Sequence, residues 1–202
     1  MSVDELPVTG VVLAGGSSRR MGRNKAFLEL DGRTLIDVVV ERMARVCAEV
    51  LVVAGNAELY AGRGVPVVED RFQGVGVLGG LHAGLAAAAY EVTLAVGCDM
   101  PFVDPALLSA FVGWAEGVDA AVLRRGEWVE PLHAAYRRTC LPAIETAVRS
   151  GARRVVSFFP QVRVRYVSVD DLRPIDPELH SFRNVNTPEE WEAAQTLLAD
   201  RR

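Results

Sequence analysis

Residues 8–25 read VTGVVLAGGSSRRMGRNK, and the rest of the chain is read outward from them. Val8–Leu13 is a short apolar run rich in β-branched residues, the signature of a strand buried in a parallel sheet. It runs into Ala14-Gly15-Gly16, where two glycines let backbone N–H groups approach an anion closely. Four cations (Arg19, Arg20, Arg23 and Lys25) follow within seven residues. A strand, a side-chain-poor loop and a dense positive field together point to a bound polyphosphate. The alternative is a tight turn carrying solvated arginines. A Walker P-loop needs Lys and Ser or Thr straight after its second glycine, whereas Gly22 is followed by Arg23-Asn24-Lys25. The GxGxxG dinucleotide fingerprint is absent as well.

Beyond this stretch, strands alternate with helices. Thr34–Val46 carries Ile36, Val39, Val40 and Met43 at helical spacing after the turn Asp31-Gly32. Val50–Ala54 and Pro66–Val68 read as strands, Leu81–Tyr90 as an Ala-rich helix, and Val92–Val96 as another buried strand. Asp104 caps a helix that opens at Pro105. Ala120–Leu123, Leu132–Tyr136 and Gln161–Val169 read as further strands, and Leu141, Ile144 and Val148 mark a helix between them. Thr187-Pro188-Glu189-Glu190 is a capping box opening a last helix, with Trp191, Ala194 and Leu198 on one side. This alternation predicts one α/β domain over residues 1–202, doubly wound, with a mainly parallel sheet and helices on both faces. Ligands of such sheets bind at the carboxyl ends of the strands, near a switch point.

The chain has 202 residues, half of them in the hydrophobic class, and a formal net charge of −4. That suits one well-filled core, and the acidic balance speaks against nucleic acid as a partner. No apolar run reaches membrane-spanning length and the first residues carry no signal pattern. Cys47, Cys98 and Cys140 are far apart and odd in number, which fits buried thiols in a reducing compartment; a cytoplasmic protein is expected. Of 22 basic residues only Lys25 is lysine. A compact point charge is what arginine's planar fork does not reproduce, so Lys25 is a candidate for phosphate contact.

Two further stretches carry chemistry. Gly97-Cys98-Asp99-Met100-Pro101 follows a buried strand, placing Asp99 where Mg²⁺ would take its carboxylate alongside phosphate oxygens; alone, Asp99 reads better as a turn cap, and the neighbouring polyphosphate loop is what favours the metal. Glu69-Asp70-Arg71 precedes a glycine-rich run to Leu81, and Asp70 is suited to accept hydrogen bonds from a ribose or base; a surface loop is the competing reading. His82, His133 and His180 have no triad-like or metal-ligand spacing and read as structural or solvated.

These residues resemble the molybdenum cofactor guanylyltransferases, the family of molybdopterin-guanine dinucleotide biosynthesis protein A. Leu13–Gly16 with Arg20-Met21-Gly22 and Lys25 is similar to its LAGGxxxRMGxxK loop, and Cys98-Asp99-Met100-Pro101 to its CDMP. Pro131–Tyr136 resembles its PLxAxY segment, and Phe182–Glu190 its FxNxNTPEE signature. Gly76–Gly80 departs from the usual GPLAG by having Val77 and Gly79. Strand two ends in Ala54 where relatives carry asparagine, which leaves Asn56 as the substitute.

The resemblance implies a Rossmann-like nucleotidyltransferase sandwich of the nucleotide-diphospho-sugar transferase type. It also implies GMP transfer from GTP to the terminal phosphate of molybdopterin, with release of pyrophosphate and with Mg²⁺ as cofactor. Lys25, Arg20 and Asp99 would be catalytic, with Asp99 holding the metal. Leu13, Ala14, Gly15, Gly16, Lys25, Asn56, Asp70, Gly80 and Asp99 would bind the nucleotide, and Arg154, Asn184 and Asn186 would face the pterin. Other cofactor-biosynthesis proteins or apo-molybdoenzymes would be transient partners. A cytidylyl- or sugar-phosphate nucleotidyltransferase shares the first loop and is the alternative; a nucleotide-binding regulator without turnover has less use for a metal carboxylate.

Overall fold

The first strand lies inside the sheet, with strands on both sides of it. The computed structural model describes residues 5–15, 25–72 and 74–199. In chain order the elements are β1 (Leu6–Leu13), a hairpin of β2 (Glu29–Leu30) and β3 (Arg33–Thr34), α1 (Leu35–Ala44), β4 (Cys47–Ala54), β5 (Val67–Glu69) and α2 (Val77–Ala87). There follow β6 (Val92–Gly97), α3 (Pro105–Trp114), β7 (Ala120–Arg125), β8 (Trp128–Arg137), α4 (Leu141–Arg149), β9 (Val164–Val167), α5 (Val169–Leu172) and α6 (Pro188–Ala199). The sheet order is β5-β4-β1-β6-β8-β7-β9. Strands β5, β4, β1 and β6 pair in parallel, as do β7 and β9, while β8 runs antiparallel to both its neighbours. The sheet is thus mainly parallel, as expected, with one reversed strand.

Alternation along β1 sorts the core into two layers. Val8 and Val12 join the layer that contains α1 and α3 residues, while Val11 and Leu13 join the layer that contains α2 and α4 residues. The hairpin before α1 turns on Asp31 and Gly32, both at positive φ (56° and 74°), and Thr34 then caps α1 by accepting from the Asp37 amide. Asp104 and Pro105 open α3 as expected. Thr187 and Glu190 form the expected capping box: Thr187 Oγ1 accepts from Glu190 N at 3.2 Å, and Glu190 Oε2 accepts from Thr187 N at 3.1 Å. Trp191 and Ala194 pack inward from α6, while the Leu198 side chain lies outside the described residues.

Two boundaries differ from the expectation. Helix α2 begins at Val77 rather than Leu81, so Gly79 and Gly80 are helical rather than part of a loop. Their lack of a side chain serves packing. A Cβ at Gly84 would stand 2.6 Å from Val11 Cγ1, and one at Gly80 3.2 Å from Leu13 Cδ2, so glycine brings α2 close to the sheet. The long strand expected over Gln161–Val169 is only Val164–Val167, because Ser168 and Asp171 make a capping box that starts α5. Among the described residues, no helix is long and apolar enough to cross a membrane.

Candidate active site

From β1 the chain builds outward through β4 to β5, then returns across β1 to place β6 on its other side. The switch point therefore lies between β1 and β6, and a crevice opens at their carboxyl ends. Cys98 N donates to Leu13 O at 3.1 Å, tying the two strand ends together.

On the β4 side of this crevice is a cavity of about 490 Å³ lined by Leu13, Gly15, Val53, Ala54, Gly55, Asp70, Gly74, Gly76, Val77 and Gly80. The expected nucleotide residues Leu13, Gly15, Asp70 and Gly80 thus share one hollow of small-molecule size. Ala14 holds its rim: its N–H bonds Val53 O at 2.8 Å, and its carbonyl accepts from the buried Tyr60 hydroxyl at 3.1 Å. Asp70 Oδ1 accepts from Phe72 N at 2.8 Å, and partial burial raises its carboxyl above the usual range against that bond. A Cβ on Gly79 would lie 2.7 Å from Asp70 Oδ2, so the glycine that departs from the family pattern makes room for this carboxylate. Asn56 caps the turn Ala57–Tyr60, accepting from Glu58 N at 3.0 Å, and does not line the cavity.

At the switch point itself, three distant parts of the chain meet. Lys25 Nζ is ion-paired with Asp99 Oδ2 and also donates to Asn186 Oδ1 at 2.9 Å. Both charged side chains are largely enclosed, at 22% and 14% exposure. Asp99 folds back over Gly97, where any Cβ would collide with its Oδ1. The Asp99 carbonyl accepts from Val185 N at 2.8 Å, so residues 184–187 run as a strap along the site. Asn186, one of the residues expected to face the pterin, accepts from Lys25, and its neighbour Val185 is buried and bonded to the Asp99 carbonyl. Asn184 lines a separate groove of about 210 Å³ with Phe102, Arg183, Val185 and Glu190. Arg154 is exposed at the start of the turn Val155–Gln161 and does not join the Lys25–Asp99 group. Gly16 and Arg20, with the rest of the cationic loop up to Asn24, lie outside the described residues.

Among the described residues, no group of three or more His, Cys, Asp or Glu gathers as a metal cluster. Mg²⁺ does not require one. It is commonly held by one or two carboxylates with substrate phosphates and water, and Asp99 at the strand end fits that donor set.

One residue of this edge was not singled out from the sequence. Glu130 on β8 is only 6% exposed, and its Oε1 accepts from Leu132 N at 3.1 Å. Burial pushes its carboxyl up to about 7, with Asp99 adding to the rise and Arg125 opposing it. The available signal was an acid set in the otherwise apolar strand WVEPLHAAY. His82 and His133 are buried, as a structural role requires. Burial lowers His133 to about 4, and its ring stacks on Phe182 with centroids 4.7 Å apart.

Residues 10–165 match the family model described as MobA-like NTP transferase domain. A relative from Pelotomaculum thermopropionicum, named probable molybdenum cofactor guanylyltransferase, is 42% identical, covering 98% of this chain and 96% of its own. The crystal structure of molybdopterin-guanine dinucleotide biosynthesis protein A from Archaeoglobus fulgidus superposes with a TM-score of 0.85 at 31% identity, covering 95% of this chain and 99% of that one. The 2-C-methyl-D-erythritol 4-phosphate cytidylyltransferase of Thermus thermophilus shares the fold, with a TM-score of 0.70 at 23% identity over 94% of this chain and 98% of that one.

Proposed function

Since the chain belongs to the MobA-like NTP transferase family, we propose that it transfers GMP from GTP to the terminal phosphate of molybdopterin, releasing pyrophosphate. The observation that carries this reading is the meeting of Lys25, Asp99 and Asn186 at the switch point, beside a cavity rimmed by the glycine loop. Nucleoside and triphosphate then lie across the carboxyl ends of β4, β1 and β6, and the acceptor comes from the β8 side.

The acceptor phosphate attacks the α-phosphorus, and the bond to the pyrophosphate oxygen breaks. Two anions must be brought together, so positioning and charge neutralisation dominate catalysis. Lys25 supplies the compact positive charge. Asp99 and Asn186 fix its amine from two sides, so little reorganisation is needed as charge shifts toward the leaving group. When bound, Mg²⁺ would be held by the Asp99 carboxylate and would supply Lewis-acid stabilisation of the phosphate charge. Gly15 and Gly16 offer backbone donors, Arg20 a further cation, and Asp70 accepts from the nucleoside. Asn184 and Arg154 are assigned to the acceptor side. The three buried free thiols, each pushed up to about 12 by burial, support a reducing compartment such as the cytoplasm.

The test is a nucleotide panel followed by turnover. GTP with Mg²⁺ should raise the melting temperature more than CTP, ATP or UTP, and only GTP should release pyrophosphate when molybdopterin is added. Stronger stabilisation by CTP would move the assignment to a cytidylyltransferase.

A further inference from the structure

Glu130 lies on the side of Asp99 away from the nucleotide cavity, and the sheet register shows what accompanies it. Strand β8 pairs with β7 through Leu123↔Glu130 and Arg125↔Trp128. Residues two apart on a strand share a face, and directly paired residues do too. Trp128 and Glu130 therefore stand on one face with Arg125 opposite the indole. The Asp99 carboxylate lies over Gly97 against Leu132, two residues along β8 from Glu130, and its charge acts on Glu130, so this end of β8 adjoins the Lys25–Asp99 site.

The three side chains differ in character. Trp128 is a large aromatic at 52% exposure, and Arg125 is exposed. Glu130 is buried, with one oxygen engaged by Leu132 N. Its other oxygen has no hydrogen-bond partner among the described residues, yet it is not among their sealed, unpartnered atoms. A carboxylate held this deep needs a donor to complete it. The cost of its charged form, visible in its raised pKa, fits a group that is completed by a ligand.

Resting on the transfer reaction proposed above, we infer that Glu130, Trp128 and Arg125 form the recognition site for the acceptor's pterin ring. The open carboxylate oxygen accepts from the adjacent 2-amino and ring N–H donors, the indole stacks on the ring, and the guanidinium faces the acceptor's anionic substituents. Guanine offers a similar donor pair, but the nucleotide cavity opens toward β4 and α2, and Glu130 does not line it.

Steady-state kinetics with GTP and molybdopterin on the wild-type protein, Glu130→Gln and Trp128→Ala would test this. Fluorescence titration with 6-hydroxymethylpterin, which lacks the phosphate, adds a readout independent of turnover. Both variants should raise the molybdopterin KM roughly 10- to 100-fold and weaken pterin quenching, while the GTP KM stays within about twofold. Trp128 is exposed, so its variant reports even where Glu130→Gln folds poorly. An unchanged acceptor KM in both variants, with the wild type active, overturns the inference and leaves the transfer reading standing. A raised GTP KM instead would assign the carboxylate to guanine and likewise overturn it. No turnover of molybdopterin by the wild-type protein would sink the transfer reading itself.

Discussion

The two sides of the switch point are built by different means. Toward β4, β5 and α2, the parallel strands end in a hollow lined largely by glycine and backbone, with Asp70 its only charged lining residue among those described. Toward β7 and β8, the antiparallel strands present Glu130, Trp128 and Arg125 by register. A nucleotide is a shape that backbone donors and small residues enclose well. A second substrate brought to the same phosphorus needs side chains of its own. Lys25 and Asp99 sit at the junction, so changes there should damage both halves, and changes on either side should damage one.

The largest effects belong to the junction. Asp99→Asn should lower kcat by roughly 1,000-fold, and Lys25→Arg by roughly 100-fold with the fold intact, because a planar fork replaces a point charge. Wild-type turnover in Lys25→Arg, measured by pyrophosphate release, would show that any cation serves.

Next comes a stability difference on the acceptor side. The Glu130 carboxyl ordinarily titrates near 4.5 and is raised to about 7 in the folded protein, so the native state binds the extra proton between those values. Its contribution therefore falls as pH rises through this window. Glu130→Gln should be more stable than wild type at pH 8, by on the order of 2 kcal/mol, and should lose that advantage near pH 4.5. Denaturant melts at both pH values measure this; a variant less stable at pH 8 would mean the carboxylate contributes favourably to the fold.

Asn186→Ala removes one bond to the Lys25 amine and should reduce kcat about tenfold with little change in either KM. A change confined to the acceptor KM would return Asn186 to the pterin side. The smallest effect is Gly79→Ala. Its new methyl must push the Asp70 carboxylate aside, raising the GTP KM about two- to fivefold with the acceptor KM unchanged. An unaltered GTP KM would show that Asp70 gives way without consequence.

The same division explains what was legible in the sequence. The loop to Lys25, the turn holding Asp99 and the capping box after Asn186 are local motifs, each readable from adjacent residues. The contact of Lys25 with Asn186 spans 161 positions and follows only once Val185 is bonded to the Asp99 carbonyl. Helix α2 was placed four residues late because glycine signals loops as strongly as it signals close packing, and only Val11 and Leu13 beneath it decide between them. Glu130 was missed for a different reason. Pairing slips from Ala121↔Ala135 to Leu123↔Glu130, a bulge that contains His133 at φ 56°, and this irregularity sets the residues that accompany Glu130. No period in the sequence announces a bulge.

The central claim, that Lys25 and Asp99 serve one bound triphosphate, is tested most directly by a double-mutant cycle on the GTP dissociation constant in the presence of Mg²⁺. Lys25→Ala and Asp99→Asn should each weaken GTP, and the double variant should lose little more than the worse single one, because both act on the same phosphates. Fully additive losses would contradict the claim and place the two residues at independent tasks.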